Sequence, residues 1–191
     1  MELKGSRTEK ALVAAFAGES QARNRYTFFA SAARKAGYEQ IATLFLETAE
    51  NEKEHAKLFF KHLQGGEVEI TASYPAGVIG TLEANLLAAA DGEKSEWGHL
   101  YPDAASLAER EGFPEVANTF RQIAGVEKYH ERRYRKLLEN LKTGTVFKKS
   151  KKVAWKCVNC GNIIENAEGA PKVCPVCLHA QAYFEVWCEN Y

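Results

Sequence analysis

Residues 33–45 read ARKAGYEQIATLF and residues 108–120 read AEREGFPEVANTF, so the chain repeats itself at an offset of 75. The same offset pairs Tyr26 with Tyr101, Gly37 with Gly112, Phe45 with Phe120, Glu52 with Glu127 and His55 with His130. Both copies are rich in Ala, Leu, Glu, Lys and Arg, the strong helix formers. A duplicated helical hairpin is therefore the unit of construction, and a site built from its polar residues belongs on a pseudo-two-fold axis.

The punctuation of the first 145 residues fits four helices. Residues 6–36 contain no proline and stop at Gly37, and residues 38–64 stop at Gly65-Gly66, natural helix-ending positions. A connection over Glu67 to Tyr74 precedes a third helix expected from about Pro75, with a break or kink at Pro102. A fourth helix is expected from Pro114, a good first-turn residue, to about Leu141. Short, long and short connections between long helices describe a four-helix bundle with one long crossover.

Two polar motifs sit inside the repeat. Glu52-x-x-His55 and Glu127-x-x-His130 place a carboxylate and an imidazole on one helix face at i, i+3. Two such pairs, plus one Glu from each remaining helix, form the set that holds two metal ions in a di-iron bundle. Glu19 stands 33 residues before Glu52, and Glu93 stands 34 before Glu127. The one-residue excess predicts an insertion, in the form of a π-bulge, between Glu93 and Tyr101. Glu96 faces the same way as Glu93 and adds a carboxylate to one metal only; the repeat maps it to Gln21. Glu96-x-x-His99 shares the i, i+3 spacing, but His99 maps to Asn24 and is read as no ligand. His62 has no counterpart in the second copy and is read as packed or solvated. Tyr26 and Tyr101 lie one to two turns from Glu19 and Glu93, as core aromatics or as phenols bonded to ligand carboxylates.

The last 46 residues are different in kind. All five cysteines lie there, while all nine arginines lie in residues 1–145. Cys157-x-x-Cys160 and Cys174-x-x-Cys177 are separated by 13 residues, a tetrahedral thiolate site for zinc or iron. Cys188 is left over and is expected to be a small buried hydrophobe. The lysine cluster at 148–152 reads as a solvated linker, which divides the chain into 1–145 and 146–191. A unit of about 40 residues needs its metal to fold.

Composition removes several functions. Basic and acidic residues number 25 each, so there is no basic excess for nucleic acid. No apolar run approaches the ~18 residues of a membrane span, and MELKGSRTEK has no secretory apolar core. A cytoplasmic protein is expected, with its cysteines as metal ligands.

The segments AFAGESQARNRY (15–26), ETAENEKEHAK (47–57), DGEKSEW (91–97), GVEKYHE (125–131), WKCVNCG and APKVCPVC together resemble rubrerythrins over essentially the whole chain. The resemblance implies a mainly α protein: a ferritin-like di-iron four-helix bundle followed by a small rubredoxin-like domain. Carried over by position, it makes Glu19, Glu52, Glu93, Glu96, Glu127 and His130 ligands of two irons. His55 is implied as a ligand in the reduced state that exchanges with Glu96 on oxidation. Cys157, Cys160, Cys174 and Cys177 would hold a single iron. Glu96, His55, Tyr26 and Tyr101 form the candidate catalytic set. The implied activity is reduction of hydrogen peroxide to water, with electrons from an external donor such as rubredoxin or an NAD(P)H-dependent reductase. A ferroxidase would use the same bundle but gain nothing from a tetracysteine electron port, and a zinc ribbon for protein binding would be colourless where ferric thiolate is red. A homodimer is expected, each cysteine module serving the partner's bundle across an extended linker.

Overall fold

The computed structural model describes residues 2–190. Helix α1 (Arg7–Lys35) starts where the Ser6 hydroxyl accepts the Glu9 N–H, and α2 is Glu39–Lys61. Helix α3 (Leu82–Ser95) runs through a π turn at Glu96–Leu100 into α4 (Tyr101–Arg110), and α5 is Pro114–Lys142. Gly37 and Gly112 end α1 and α4 at φ +83° and +85°, so the repeat preserves the left-handed residue that each tight reversal requires.

The third helix begins seven residues later than the sequence predicts. Thr81 is its cap, its side chain accepting the Ala84 N–H. Pro75 instead belongs to an extended crossover that runs from the end of α2 to residue 81. Pro102 does not break the third helix either. The π turn immediately before it widens the backbone where the proline withholds its N–H.

The interior of the bundle is divided in two, and the repeat explains the division. One apolar cluster holds Tyr26, Phe45 and Tyr134; the other holds their offset-75 counterparts Tyr101, Phe120 and Phe59. In the first, the Tyr134 ring lies 5.4 Å from Tyr26 and 5.1 Å from Phe45. In the second, the Phe59 ring lies 5.5 Å from Tyr101 and 4.7 Å from Phe120. Between the clusters lies a buried polar layer of Glu19, Glu52, His55, Glu93, Glu127 and His130.

Beyond α5 the lysine cluster is not a free linker. Lys148–Cys157 is strand β1, central in an antiparallel sheet with β2 (Ile163–Gly169) and β3 (Phe184–Val186). Its lysines are mostly solvent-facing, while Trp155 and Cys157 further along it are fully buried. Only residues 143–147 separate α5 from the strand, so the sheet packs against the end of its own bundle. There Phe147 stacks on Tyr38 with ring centroids 5.5 Å apart.

Candidate metal centres

Each helix of the bundle delivers acid to the polar layer: Glu19 from α1, Glu52 from α2, Glu93 from α3 and Glu127 from α5, with His55 and His130 one turn beyond Glu52 and Glu127. Glu19, Glu93 and Glu127 have no exposed surface. The donor atoms form two groups, Glu19–Glu52–His55–Glu127 and Glu52–Glu93–Glu127–His130, each within 4.8 Å and sharing Glu52 and Glu127. His55 Nδ1 lies 2.8 Å from both Glu52 Oε2 and Glu127 Oε1. His130 Nδ1 lies 2.7 Å from Glu127 Oε2 and 3.2 Å from Glu52 Oε1.

Burying four carboxylates in one layer is costly unless cations compensate. The geometry shows that protein groups alone do not satisfy them. Among the described residues, Glu19 Oε2 and Glu93 Oε2 are buried without a hydrogen bond, and the inner oxygens of Glu52 and Glu127 meet only the two histidine nitrogens. These oxygens and the two histidine nitrogens converge in two groups that share Glu52 and Glu127, which is the fit expected of a pair of metal ions. Two tyrosines fix the remaining oxygens. Tyr26 on the first hairpin donates to Glu93 Oε1 on the second (2.6 Å), and Tyr101 on the second donates to Glu19 Oε1 on the first (2.5 Å). Each hydroxyl crosses the pseudo-axis, leaving the other carboxylate oxygen free to coordinate.

Without metal the layer holds protons instead. Burial, reinforced by Glu52, lifts Glu93 to about 8. Burial also raises Glu19 and Glu96 well above the usual carboxylate range. Burial works against His55 and His130 being charged, but their ring N–H groups donating to the carboxylates of Glu127 and Glu52 outweigh it and raise them to about 9 and about 12.

The second centre is a sulfur cage in the sheet domain. The Sγ atoms of Cys157, Cys160, Cys174 and Cys177 all lie within 4.8 Å of one another, with Cys157–Cys177 and Cys160–Cys174 at 3.7 Å. A tetrahedron with ~2.3 Å metal–sulfur bonds has edges of about 3.8 Å, so the spacing suits one ion and is far too long for disulfides. Two matching knuckles build it. Cys157 N–H donates to Asn162 C=O and Cys174 N–H to His179 C=O, each at 2.8 Å. The backbone N–H of His179 is the main influence drawing the Cys177 thiol down to about 6.

A family model described as Rubrerythrin matches residues 10–138, and one described as "Rubrerythrin, rubredoxin-like domain" matches residues 155–185. The chain belongs to the rubrerythrin family. It is 61% identical to a rubrerythrin of Porphyromonas gingivalis over 189 residues, covering 99% of this chain and 94% of that one. It is 50% identical to a rubrerythrin of Nitratidesulfovibrio vulgaris, covering 99% and 98%. Among solved structures, fully reduced, all-ferrous nigerythrin is similar at TM-score 0.64 and 31% identity, covering 96% of this chain and 87% of that one. The rubrerythrin plan is thus present in both parts: a carboxylate–histidine di-iron site in the bundle and a four-cysteine rubredoxin-like site in the sheet domain.

The remaining sequence candidates fall outside these groups. Glu96 is in neither cluster of donor atoms; it opens the π turn beside them, close enough to raise the pKa of Glu19. His99 is exposed and meets Ser95 Oγ at 3.1 Å, and His62 is half-buried against Thr119 at 2.8 Å. Cys188 is exposed, not buried, because it follows β3 in an irregular tail. The sequence carries no sign of one participant, Arg25. It stands one residue before Tyr26 and packs by Gly92, where any Cβ would come within 3.6 Å of its guanidinium.

Proposed function

We propose that this rubrerythrin-family chain is a non-haem di-iron peroxidase, reducing hydrogen peroxide to two waters with two electrons and two protons. The observation that carries the reading is the pairing of a buried, two-position carboxylate–histidine cluster with a four-sulfur cage in one chain. An iron-storing or ferroxidase bundle has no use for the cage. Iron held at the two buried positions would supply two electrons together, the chemistry that a two-electron cleavage of an O–O bond needs. Glu19, Glu52, Glu93, Glu127, His55 and His130 would hold that pair, Glu52 and Glu127 being shared by both donor groups. Tyr26 and Tyr101 hold the ligand carboxylates in register. Glu96 stands beside the donor groups at the start of the π turn, where it would serve as the exchangeable acid opposite His55 and as a carrier of a proton to substrate oxygen. Cys157, Cys160, Cys174 and Cys177 hold one iron through which electrons pass from an external donor such as rubredoxin or an NAD(P)H-dependent reductase.

We further propose residues 1–145 and 146–191 as the two domains, a cytoplasmic setting and a homodimer. Twelve residues of α5 separate His130 from Lys142, about 18 Å of helix at ~1.5 Å per residue. The chain's own sulfur cage therefore starts far from its bundle centre, which is the reason for proposing that each cage serves a partner's bundle.

The test is stopped-flow oxidation of the fully reduced protein by hydrogen peroxide and, separately, by dioxygen. Reoxidation at least tenfold faster with equimolar peroxide supports the peroxidase. Equal rates, or faster reaction with dioxygen, would point to a ferroxidase. Glu96→Ala should keep two bundle irons and lose the preference for peroxide.

A further inference from the structure

A cavity of about 490 Å³ lies directly against the di-iron layer, walled by α1, the π turn, α4 and the crossover strap. Hydrogen peroxide occupies little more than a water molecule, roughly 30 Å³ in the liquid. The cavity is more than ten times larger and falls in the range of sites for organic ligands, roughly 300–1,000 Å³. Its lining is of two kinds. Glu96, Tyr101, Arg25 and Gln21 bring polar groups to it. The Nε of Arg25 is buried with no hydrogen bond, and its guanidinium makes no ion pair among the described residues. Much of the remaining wall is apolar: Ala11, Ala14, Ala104, Leu100 and Phe120.

Two features keep the space open. The wall residues on α1 and α4 are alanines, although larger apolar residues suit helices equally well. The crossover strap closes over the top without filling it, because the Tyr74 hydroxyl donates to the Ala14 carbonyl (2.8 Å) and its ring edge rests 3.7 Å from where a Cβ on Gly18 would be.

We infer that this cavity admits organic hydroperoxides, with the –OOH group at Glu96 and Arg25 and the hydrocarbon against the alanine wall. The inference rests on the peroxidase reading and names a second substrate class for the same site. A hydroperoxide is a donor at its terminal O–H and an acceptor at both oxygens, which matches a carboxylate beside an unpaired guanidinium. The organic group has no polar demand and matches the alanine wall. The reaction balances as ROOH + 2 e⁻ + 2 H⁺ → ROH + H₂O: the O–O bond breaks, the organic oxygen leaves as the alcohol, and the electrons come from the same one-electron carrier that serves hydrogen peroxide.

The experiment uses the full-length, iron-loaded protein, reduced and freed of reductant, mixed with hydrogen peroxide, tert-butyl hydroperoxide or cumene hydroperoxide. Reoxidation is followed at the visible band of the ferric tetrathiolate site. The rate constant for cumene hydroperoxide is expected within thirtyfold of that for hydrogen peroxide. Ala104→Phe, which puts a ring into the cavity from its apolar wall, should lower the cumene-to-hydrogen-peroxide rate ratio at least tenfold. Ala11→Leu is the second filling variant should the first fail to load iron. Val78→Ala, on the same crossover but 85% exposed and away from the cavity, should leave the ratio unchanged. A readout independent of turnover is binding of cumyl alcohol, the product, to the oxidised protein by saturation-transfer NMR, expected in the wild type and lost in Ala104→Phe. A cumene hydroperoxide rate more than thirtyfold below that of hydrogen peroxide overturns the inference and leaves the peroxidase reading standing. So does an alcohol signal that is absent or indifferent to Ala104→Phe, as would follow if a second copy of the chain filled the cavity. Failure of all three peroxides would overturn both.

Discussion

Removing iron from the bundle should make its stability fall steeply as pH rises through neutrality. In the metal-free fold Glu93 holds its proton to about 8 against an ordinary 4.5, His55 to about 9 and His130 to about 12 against 6.5. All three folded values are raised, so the folded chain binds more protons than the unfolded one. Their contribution is complete below about 4.5 for Glu93 and 6.5 for the histidines, and is lost as pH climbs towards the folded values. Near pH 7 the difference approaches three protons, and each is worth ~1.4 kcal/mol per pH unit, an upper bound of about 4 kcal/mol. Because the three groups share one cluster and titrate together, roughly half that bound is the lower expectation, about 2 kcal/mol. Glu19 and Glu96, also raised, act in the same direction, while Glu127, lowered, is ionised in both states and adds no slope. At ~2–4 °C per kcal/mol for a chain of this size, the melting midpoint of chelator-stripped protein should drop about 4–16 °C from pH 6.5 to 7.5, followed by circular dichroism at 222 nm. Iron-loaded protein should show a much flatter profile, since the metals displace those protons. A stripped protein whose midpoint is level or rises across that interval would refute the argument.

Three further outcomes follow from the packing. Tyr26→Phe removes the 2.6 Å bond to Glu93 Oε1 and should weaken bundle metal affinity by roughly 10–100-fold, measured by competition with a chelator. Phe45→Ala empties a fully buried site between Tyr26, Phe29 and Tyr134 and should cost about 3–5 kcal/mol in urea unfolding of the loaded protein. Cys174→Ser should abolish the ferric thiolate absorbance while leaving the helical circular dichroism within a few per cent of wild type, because the sulfur cage and the bundle layer share no residue.

The 75-residue offset made most of the bundle readable, since a duplicated residue at a buried position announces itself twice. Glu52, His55, Glu127 and His130 were legible for that reason, and Glu93 because its slip of one residue called for the π turn that the helix contains at Glu96–Leu100. What was not legible depended on long-range contacts. Pro75 carried a helix-start signal, but the chain there spans the cavity, held by a Tyr74 hydroxyl on a carbonyl of α1. Lys148–Lys152 looked like solvated charge because strand pairing with β2 leaves no trace in a run of lysines. The exchange of tyrosine hydroxyls between hairpins, Tyr26 to Glu93 and Tyr101 to Glu19, required knowing which hairpin faces which.

The π turn has a further consequence. Glu19 and Tyr26 are seven residues apart, close to two helical turns, so both point into the layer from one regular helix. Glu93 and Tyr101 are eight apart, and the widened turn between them absorbs the surplus so that Tyr101 returns to the same face. The surplus also introduces Glu96, which the first hairpin answers only with Gln21. A duplicated protein would otherwise be a palindrome, unable to tell its two metal positions apart. One inserted residue gives it a front and a back, with the large cavity and the spare acid on the same side.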